Sequence, residues 1–180
     1  MAPNLDRLLK RPFSLEELTE VVDFDCGIEP WHTEVSDWIK FGPDSSEGAL
    51  YDMRKRKTQV WLYMSARDEV VGFSSLGPTN QRWPFQDSEK VAHLHIANLA
   101  VDRKYQGQPP GPREERYSYQ ILSDTILTAK NQAVGPIVSL YVNTENKKAI
   151  DFYVKFNFEF VSHVQFEDNE SKYSLMAAKL

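Results

Sequence analysis

A single cysteine, Cys26, stands in the 180 residues. Its isolation excludes a disulfide framework within one chain and a cysteine-rich zinc site, and it predicts a reducing compartment, the cytoplasm. A surplus of positive charge is missing too: 21 Lys and Arg face 26 Asp and Glu, for a formal net charge of −5. No overall field therefore gathers nucleic acid or anionic lipid, and any such contact needs a local patch. No stretch approaches the roughly 18 to 20 apolar positions that span a bilayer, and the opening MAPNLDRLLKRPFSLEEL has no apolar core of signal-peptide length. The sequence predicts neither membrane insertion nor export. Internal repeats and low-complexity tracts are absent, and Pro and Gly fall in short clusters instead of one long linker.

What is present is the composition of a folded domain: 41% hydrophobic and 26% charged residues exclude global disorder. A chain of this length buries roughly 70% of the surface its unfolded form exposes, which predicts one compact domain over residues 1–180. PFSLEEL reads either as a first strand or as a short helix capped by Ser14, with Glu17 three residues on. Pro30 suits a first helical turn, and Trp31, Val35, Trp38 and Ile39 share a helical face that ends by Gly42-Pro43. A second short helix over 46–56 carries the basic run Arg54, Lys55, Arg56 and Lys57. The hydrophobic period then changes to two, and residues 59–66 and 70–76 flank a charged turn as a hairpin does. After a loop with Asn80, Trp83, Pro84 and Phe85, residues 91–101 (VAHLHIANLAV) are bulky and apolar on both faces, as in a central strand. A helix over 113–132, a strand at 137–142, a helix at 146–156 and strands at 158–164 and 173–178 complete a mixed α/β pattern.

Between the central strand and the long helix lies Tyr105-Gln106-Gly107-Gln108-Pro109-Pro110-Gly111, with the first helical turn expected at Pro112-Arg113. Backbone N–H groups and the positive end of a helix dipole there make a phosphate site without a cationic side chain. Most Gly/Pro loops at such junctions are only turns. A second segment, VNTENKKAIDFYVKFNF, places a helix bearing Asn146, Ala149 and Tyr153 before Phe158. In register, the two segments resemble signatures of the GNAT N-acetyltransferase superfamily, which uses acetyl-coenzyme A. LAVDRKYQGQPPG follows the family's Leu-x-Val strand end, then Gln or Arg, two free positions, Gly, one free position and Gly or Ala. Val142, Asn146, Ala149, Phe152, Tyr153 and Phe158 match V-x-x-x-N-x-x-A-x-x-F-Y-x-x-x-G-F, and order and spacing agree over about residues 58–164.

The resemblance implies an α/β (α+β) fold with a mixed, mostly antiparallel central sheet and helices on both faces. It implies that acetyl-CoA lays its pantetheine arm along Leu99, Ala100 and Val101, with a main-chain donor near Val101 polarising the acetyl oxygen. The pyrophosphate falls at 106–113, on Gln106, Gly107, Gln108, Gly111 and Arg113, with Asn146 and Ala149 in the second signature. Tyr153 matches the general acid, and its alternative is an aromatic anchor on a buried helix face. Two departures stand out. Pro109 replaces the middle glycine, beside Pro110 and Pro112, which removes donors and predicts weaker cofactor binding that the Arg113 guanidinium partly offsets. Asn157 replaces the glycine before Phe158, a mild change because Asn tolerates the left-handed conformation of a helix cap.

Where the family often has Glu, this chain has His95, with His93 on the same strand face about 7 Å away. A histidine near pKa 6.5 is a competent general base at neutral pH; the alternative is a pair of ordinary half-buried histidines. No third ligand stands at metal-site spacing, so no metal is expected. A lysine amine near pKa 10.4 costs roughly 4.6 kcal/mol to neutralise at pH 7, an α-amine near 7.7 to 8 only about 1 to 1.4 kcal/mol. Without the usual glutamate, the less basic amine is favoured. The expected function is acetyl transfer from acetyl-CoA to a primary amine. Phe24, Asp25, Cys26, Gly27, Trp38 and Ile39 also resemble the amino-terminal half of a toxin-type GNAT subgroup that acetylates the α-amine of aminoacyl-tRNA. Arg54 to Lys57 would then meet tRNA phosphates, although such a run is more often a solvated face and the acidic total disfavours a large footprint. A third reading is a coenzyme-A-binding or protein-binding module whose proline-rich loop has cost it catalysis. A homodimer is compatible with each.

Overall fold

The computed structural model of the protein describes residues 8–79, 91–109, 115–165 and 172–180. Its strands are β1 (Leu9–Pro12), β2 (Gln59–Met64), β3 (Val70–Thr79), β4 (His93–Val101), β5 (Ile137–Asn143), β6 (Glu159–Gln165) and β7 (Lys172–Lys179). The α-helices are α1 (Pro30–Lys40), α2 (Ala49–Lys55), α3 (Tyr117–Gln132) and α4 (Lys147–Val154), with 3-10 turns at Glu16–Val21 and Arg103–Tyr105. The sheet order is β1-β2-β3-β4-β5-β7-β6. β4 and β5 run parallel, while β1/β2, β2/β3, β5/β7 and β6/β7 are antiparallel. The expected mixed, mostly antiparallel sheet is therefore present. PFSLEEL is neither the strand nor the Ser14-capped helix expected: only Pro12 belongs to β1, and the 3-10 turn from Glu16 has Leu15 at its N-cap, while the Ser14 hydroxyl accepts the Glu16 N–H at 3.2 Å and donates to the Glu17 carboxylate. Among the described residues no helix is long and apolar enough to cross a membrane. Asn80, Trp83, Phe85, Gly111 and Arg113 lie outside the described residues.

The chain divides into two compact units, Met1–Leu76 with Asn98–Thr125, and Gly77–Ala97 with Ile126–Leu180. In the first, alternation along β2 sends Val60, Leu62 and Met64 into a core shared with Phe13, Phe24, Ile39 and Phe73. Trp38 on α1 stacks on Phe73 with centroids 5.8 Å apart, and its indole N–H donates to the Asp52 carboxylate at 2.9 Å. Asp52 also holds Arg56, one turn on, at 3.2 Å. α2 starts at Ala49, later than its sequence pattern predicts, because the Ser45 hydroxyl takes the Glu47 N–H and favours a turn there. The first part of α3 is fastened by polar bonds: Tyr63 donates to Asp124 at 2.8 Å, and Thr125 donates to Ser74 at 2.9 Å.

In the second unit β5 buries Ile137, Val138, Leu140 and Val142, as a central strand should, against a β7 that buries Leu175 to Ala178. α4 ends in a Schellman motif. The Phe158 N–H donates to the Tyr153 carbonyl at 3.2 Å and the Asn157 N–H to the Val154 carbonyl at 3.0 Å, with Asn157 at φ 60°. The hydrophobic contact that accompanies this motif is Tyr153 against Phe158, centroids 5.7 Å apart. The Tyr-x-x-x-Asn-Phe spacing is thus the spacing of a helix stop, and it fixes the tyrosine. Asn157→Val should cost about 1–2 kcal/mol in urea unfolding, and Asn157→Gly should cost nothing or add stability, since a β-branched residue resists the left-handed conformation.

Candidate functional site

The geometry begins with the end of β4, which belongs to the first unit. The Asp102 N–H donates to the Val71 carbonyl at 2.8 Å, and the Asn98 N–H to the Ser75 hydroxyl at 2.9 Å. Main-chain groups alternate sides along a strand, so 98, 100 and 102 address β3 while Leu99 and Val101 address the opposite side. The approach is close at Gly72, where a Cβ would lie 2.3 Å from the Ala100 oxygen. The Ala100 carbonyl thus lies close against β3, and by the alternation Leu99 and Val101 turn their main-chain groups away from it. The Val101 carbonyl is in turn taken by the Gln106 side-chain amide at 2.9 Å, so of the Val101 main-chain groups the N–H remains on that side.

The loop after β4 is tied to the segment before α1. The Gln106 amide also donates to the Cys26 carbonyl at 2.7 Å, the Arg103 N–H donates to the Asp25 carbonyl at 2.7 Å, and the Arg103 guanidinium meets the Asp25 carboxylate at 3.3 Å. The Asp102 carboxylate accepts the Lys104 N–H at 3.0 Å and the Asp25 N–H at 3.3 Å. The Gln106 side chain therefore braces the loop against the Cys26 and Val101 carbonyls. The Gln106 and Gln108 N–H groups make long turn bonds, 3.4 Å to Arg103 O and 3.3 Å to Tyr105 O. Gly107, at φ 73° with open space where a side chain would be, keeps its N–H without a partner among the described residues. α3 begins at Tyr117, after the non-helical Glu115 and Arg116, later than the sequence predicts; the expected start at Pro112-Arg113 lies outside the described residues. Sequence reasoning missed Asp102 and named Asp25 only in a resemblance, without this bracing role; the Asp102-x-Lys104 spacing of a side chain that bonds its own backbone two residues on was the available signal. Gln106→Ala leaves two carbonyls without this donor and should cost about 1–3 kcal/mol in denaturant unfolding.

The second unit holds the other candidates. Asn146 caps α4: its side-chain oxygen accepts the Ala149 N–H at 3.1 Å. The Asn-x-x-Ala spacing expected to touch the cofactor is therefore an N-cap with its third helical residue, and these two groups satisfy each other. Tyr153 is buried, and burial pushes its phenol up to about 12. Its hydroxyl has no hydrogen-bond partner among the described residues, and its ring packs on Phe152 and Phe158, with centroids at 5.4 and 5.7 Å.

His95 lies half-buried beside Tyr141, centroids 4.9 Å apart, with Nδ1 2.8 Å from the Ser139 hydroxyl. Desolvation first, and His93 second, lower its pKa to about 4. The expectation of an ordinary histidine near 6.5 is corrected: His95 is neutral at pH 7 but a weaker base. His93 is 1% exposed and lowered by the same burial. A lowered histidine stabilises the fold above its unfolded pKa near 6.5, and that stability is lost as pH falls toward the folded value. For His95 the loss should be on the order of 3 kcal/mol between about pH 6.5 and 4, so wild type should lose that much more than His95→Gln in denaturant unfolding over this window. Among the described residues no group of three or more His, Cys, Asp or Glu is placed to hold a metal ion.

No protein-family model and no curated protein matches the chain. Solved structures match along nearly its full length. A protein from Desulfovibrio desulfuricans assigned to the GNAT acetyltransferases shares 12% identity over 96% of this chain and 98% of its own, with a TM-score of 0.64. A mutant of the AtaT toxin, bound to the C-terminus of the antitoxin AtaR and to acetyl-CoA, shares 15% over 96% and 93%, with a TM-score of 0.65. The spermidine/spermine N-acetyltransferase SpeG from Vibrio cholerae shares 12% over 96% and 92%, with a TM-score of 0.60. The chain has the fold of the GNAT acetyltransferases.

Proposed function

We propose that the protein transfers the acetyl group of acetyl-CoA to a primary amine. The observation that carries this reading is the end of β4, where the Val101 N–H is turned away from β3 while its own carbonyl is capped by Gln106. In this reading the thioester arm pairs with Leu99 and Val101, and the Val101 N–H donates to the acetyl oxygen, where negative charge develops. Gly107 receives the pyrophosphate, joined by the Gln106 and Gln108 N–H groups as their long turn bonds give way, and by Gly111 and Arg113. Ala100, Asn146 and Ala149 act indirectly, by holding the strand and the helix in place. That acetyl-CoA is bound in the AtaT structure of similar fold supports it as co-substrate.

Tyr153 serves as the acid. A phenol raised to about 12 keeps its proton at neutral pH. Full transfer to a thiolate of pKa about 8.5 is uphill by roughly 5 kcal/mol, so its effect is to hold the charge building on the departing sulfur. His95 serves as the base, accepting the amine proton once the nitrogen has bonded to the acyl carbon and become more acidic. A base this weak does not deprotonate an ammonium group; the acceptor must arrive neutral, which favours amines less basic than lysine.

A second reading has one observation in its favour: the similar AtaT fold belongs to a toxin, and an α-amine suits a weak base. It would make the acceptor aminoacyl-tRNA, with phosphates on the exposed Arg54 to Lys57. Two of those four are already engaged, Arg54 with the Pro43 carbonyl at 2.7 Å and Arg56 with Asp52 at 3.2 Å. Release of free CoA over a panel of lysine peptides, α-amine peptides, polyamines and aminoacyl-tRNA separates the readings. Acetyl-CoA binding without release on any acceptor leaves a binding module, and no binding removes the enzyme altogether. On the productive acceptor Tyr153→Phe should lower kcat about 100-fold, with the calorimetric Kd for acetyl-CoA unchanged; an unchanged kcat removes Tyr153 from the mechanism.

A further inference from the structure

His93 and His95 converge on one hydroxyl, that of Ser139 on β5, which lies 2.9 Å from Nε2 of His93 and 2.8 Å from Nδ1 of His95. Ser139 is 1% exposed, so bulk water does not compete for it. The direction of each bond follows from the donors available. The Val91 carbonyl, 2.7 Å from Nδ1 of His93, can only accept, so that nitrogen carries a hydrogen. Burial lowers the His93 pKa and keeps the ring neutral at pH 7, which leaves Nε2 bare. The Ser139 hydroxyl has one hydrogen and donates it to that nitrogen, so toward His95 it offers only lone pairs. Nδ1 of His95 is then the donor, and the lone pair of the neutral ring is on Nε2.

We infer that Ser139 is a positioning residue that locks His95 in the Nδ1–H tautomer and so makes Nε2 the proton acceptor. The catalytic consequence rests on the reading of His95 as base; the lock itself does not. Nε2 has no partner among the described residues, and the ring is half-buried, so the lone pair is open to a ligand. Without the serine a neutral imidazole distributes its hydrogen over both nitrogens, and the Nε2–H form presents a hydrogen where the amine needs an acceptor.

Long-range proton–nitrogen correlation spectra of the full chain, labelled at histidine and recorded at neutral pH, read the tautomer directly. The His95→Gln variant assigns the signal. Wild type should show His95 protonated at Nδ1 and bare at Nε2, and a His95 protonated at Nε2 overturns the proposal without any Ser139 variant having to fold. Ser139→Ala should give mixed tautomers and lower kcat roughly ten- to a hundredfold, with the Kd for acetyl-CoA unchanged. Ser139→Thr, which keeps the hydroxyl, should restore both tautomer and rate. A locked spectrum with a fully active His95→Gln removes the base reading and leaves the lock. An unlocked spectrum with an inactive His95→Gln removes the lock and leaves the base.

Discussion

The commitment of alternate main-chain groups at the end of β4 is the constraint on which the rest depends. Once Asn98 and Asp102 bond toward β3, at 2.9 Å to the Ser75 hydroxyl and 2.8 Å to the Val71 carbonyl, strand geometry leaves Leu99 and Val101 no choice but the other side. Side chains follow the same alternation. Leu99 and Val101 pack with Tyr63 and Ile121, whereas Ala100 enters the cluster that contains Phe73 and Val60. β4 pairs with β5 at Leu94 to Ile96, before this end, and a strand end whose backbone bonds on one side only can receive an extended ligand on the other, which is how a sheet edge recognises a peptide or a peptide-like arm.

The turn that follows β4 is held by a small set of polar side chains, each doing what a backbone ladder would do elsewhere. Asp102 caps its own turn and reaches Asp25; Gln106 spans from the Cys26 carbonyl to the Val101 carbonyl. The consequence is that the segment entering α1 and the loop entering α3 are one mechanical piece. A side chain of the family's loop signature is consumed in making that piece. Spacing alone marks Gln106 as a residue of the loop signature; its partners show that its side chain braces the loop.

In the second unit the same economy holds for α4. Its beginning is Asn146 bonded to the Ala149 N–H, and its end is the Asn157 Schellman turn with Tyr153 against Phe158. Most of the second signature is therefore the grammar of one short helix. Only the phenol of Tyr153, buried and unpaired among the described residues, stands outside that grammar. His95 is likewise set by its surroundings, since burial and a shared serine decide its charge and its tautomer.

Period and punctuation were enough to determine the order of elements from α1 to β7, the mixed sheet and the hairpin of β2 and β3, because each follows from local propensity; the left-handed Asn157 was implied by the resemblance, through the glycine it replaces. The two signatures directed attention to the end of β4, the loop after it and α4. What only the tertiary structure decided are the quantities that depend on partners distant in sequence: Ala100 facing β3, Gln106 reaching back 80 residues to Cys26, and His95 lowered to about 4 beside Ser139. A hydrogen bond across a fold leaves no periodicity in the chain, and the desolvation of an imidazole is a property of what surrounds it. The residue type names the chemistry that is available; the packing selects which nitrogen, carbonyl or amide is left to perform it.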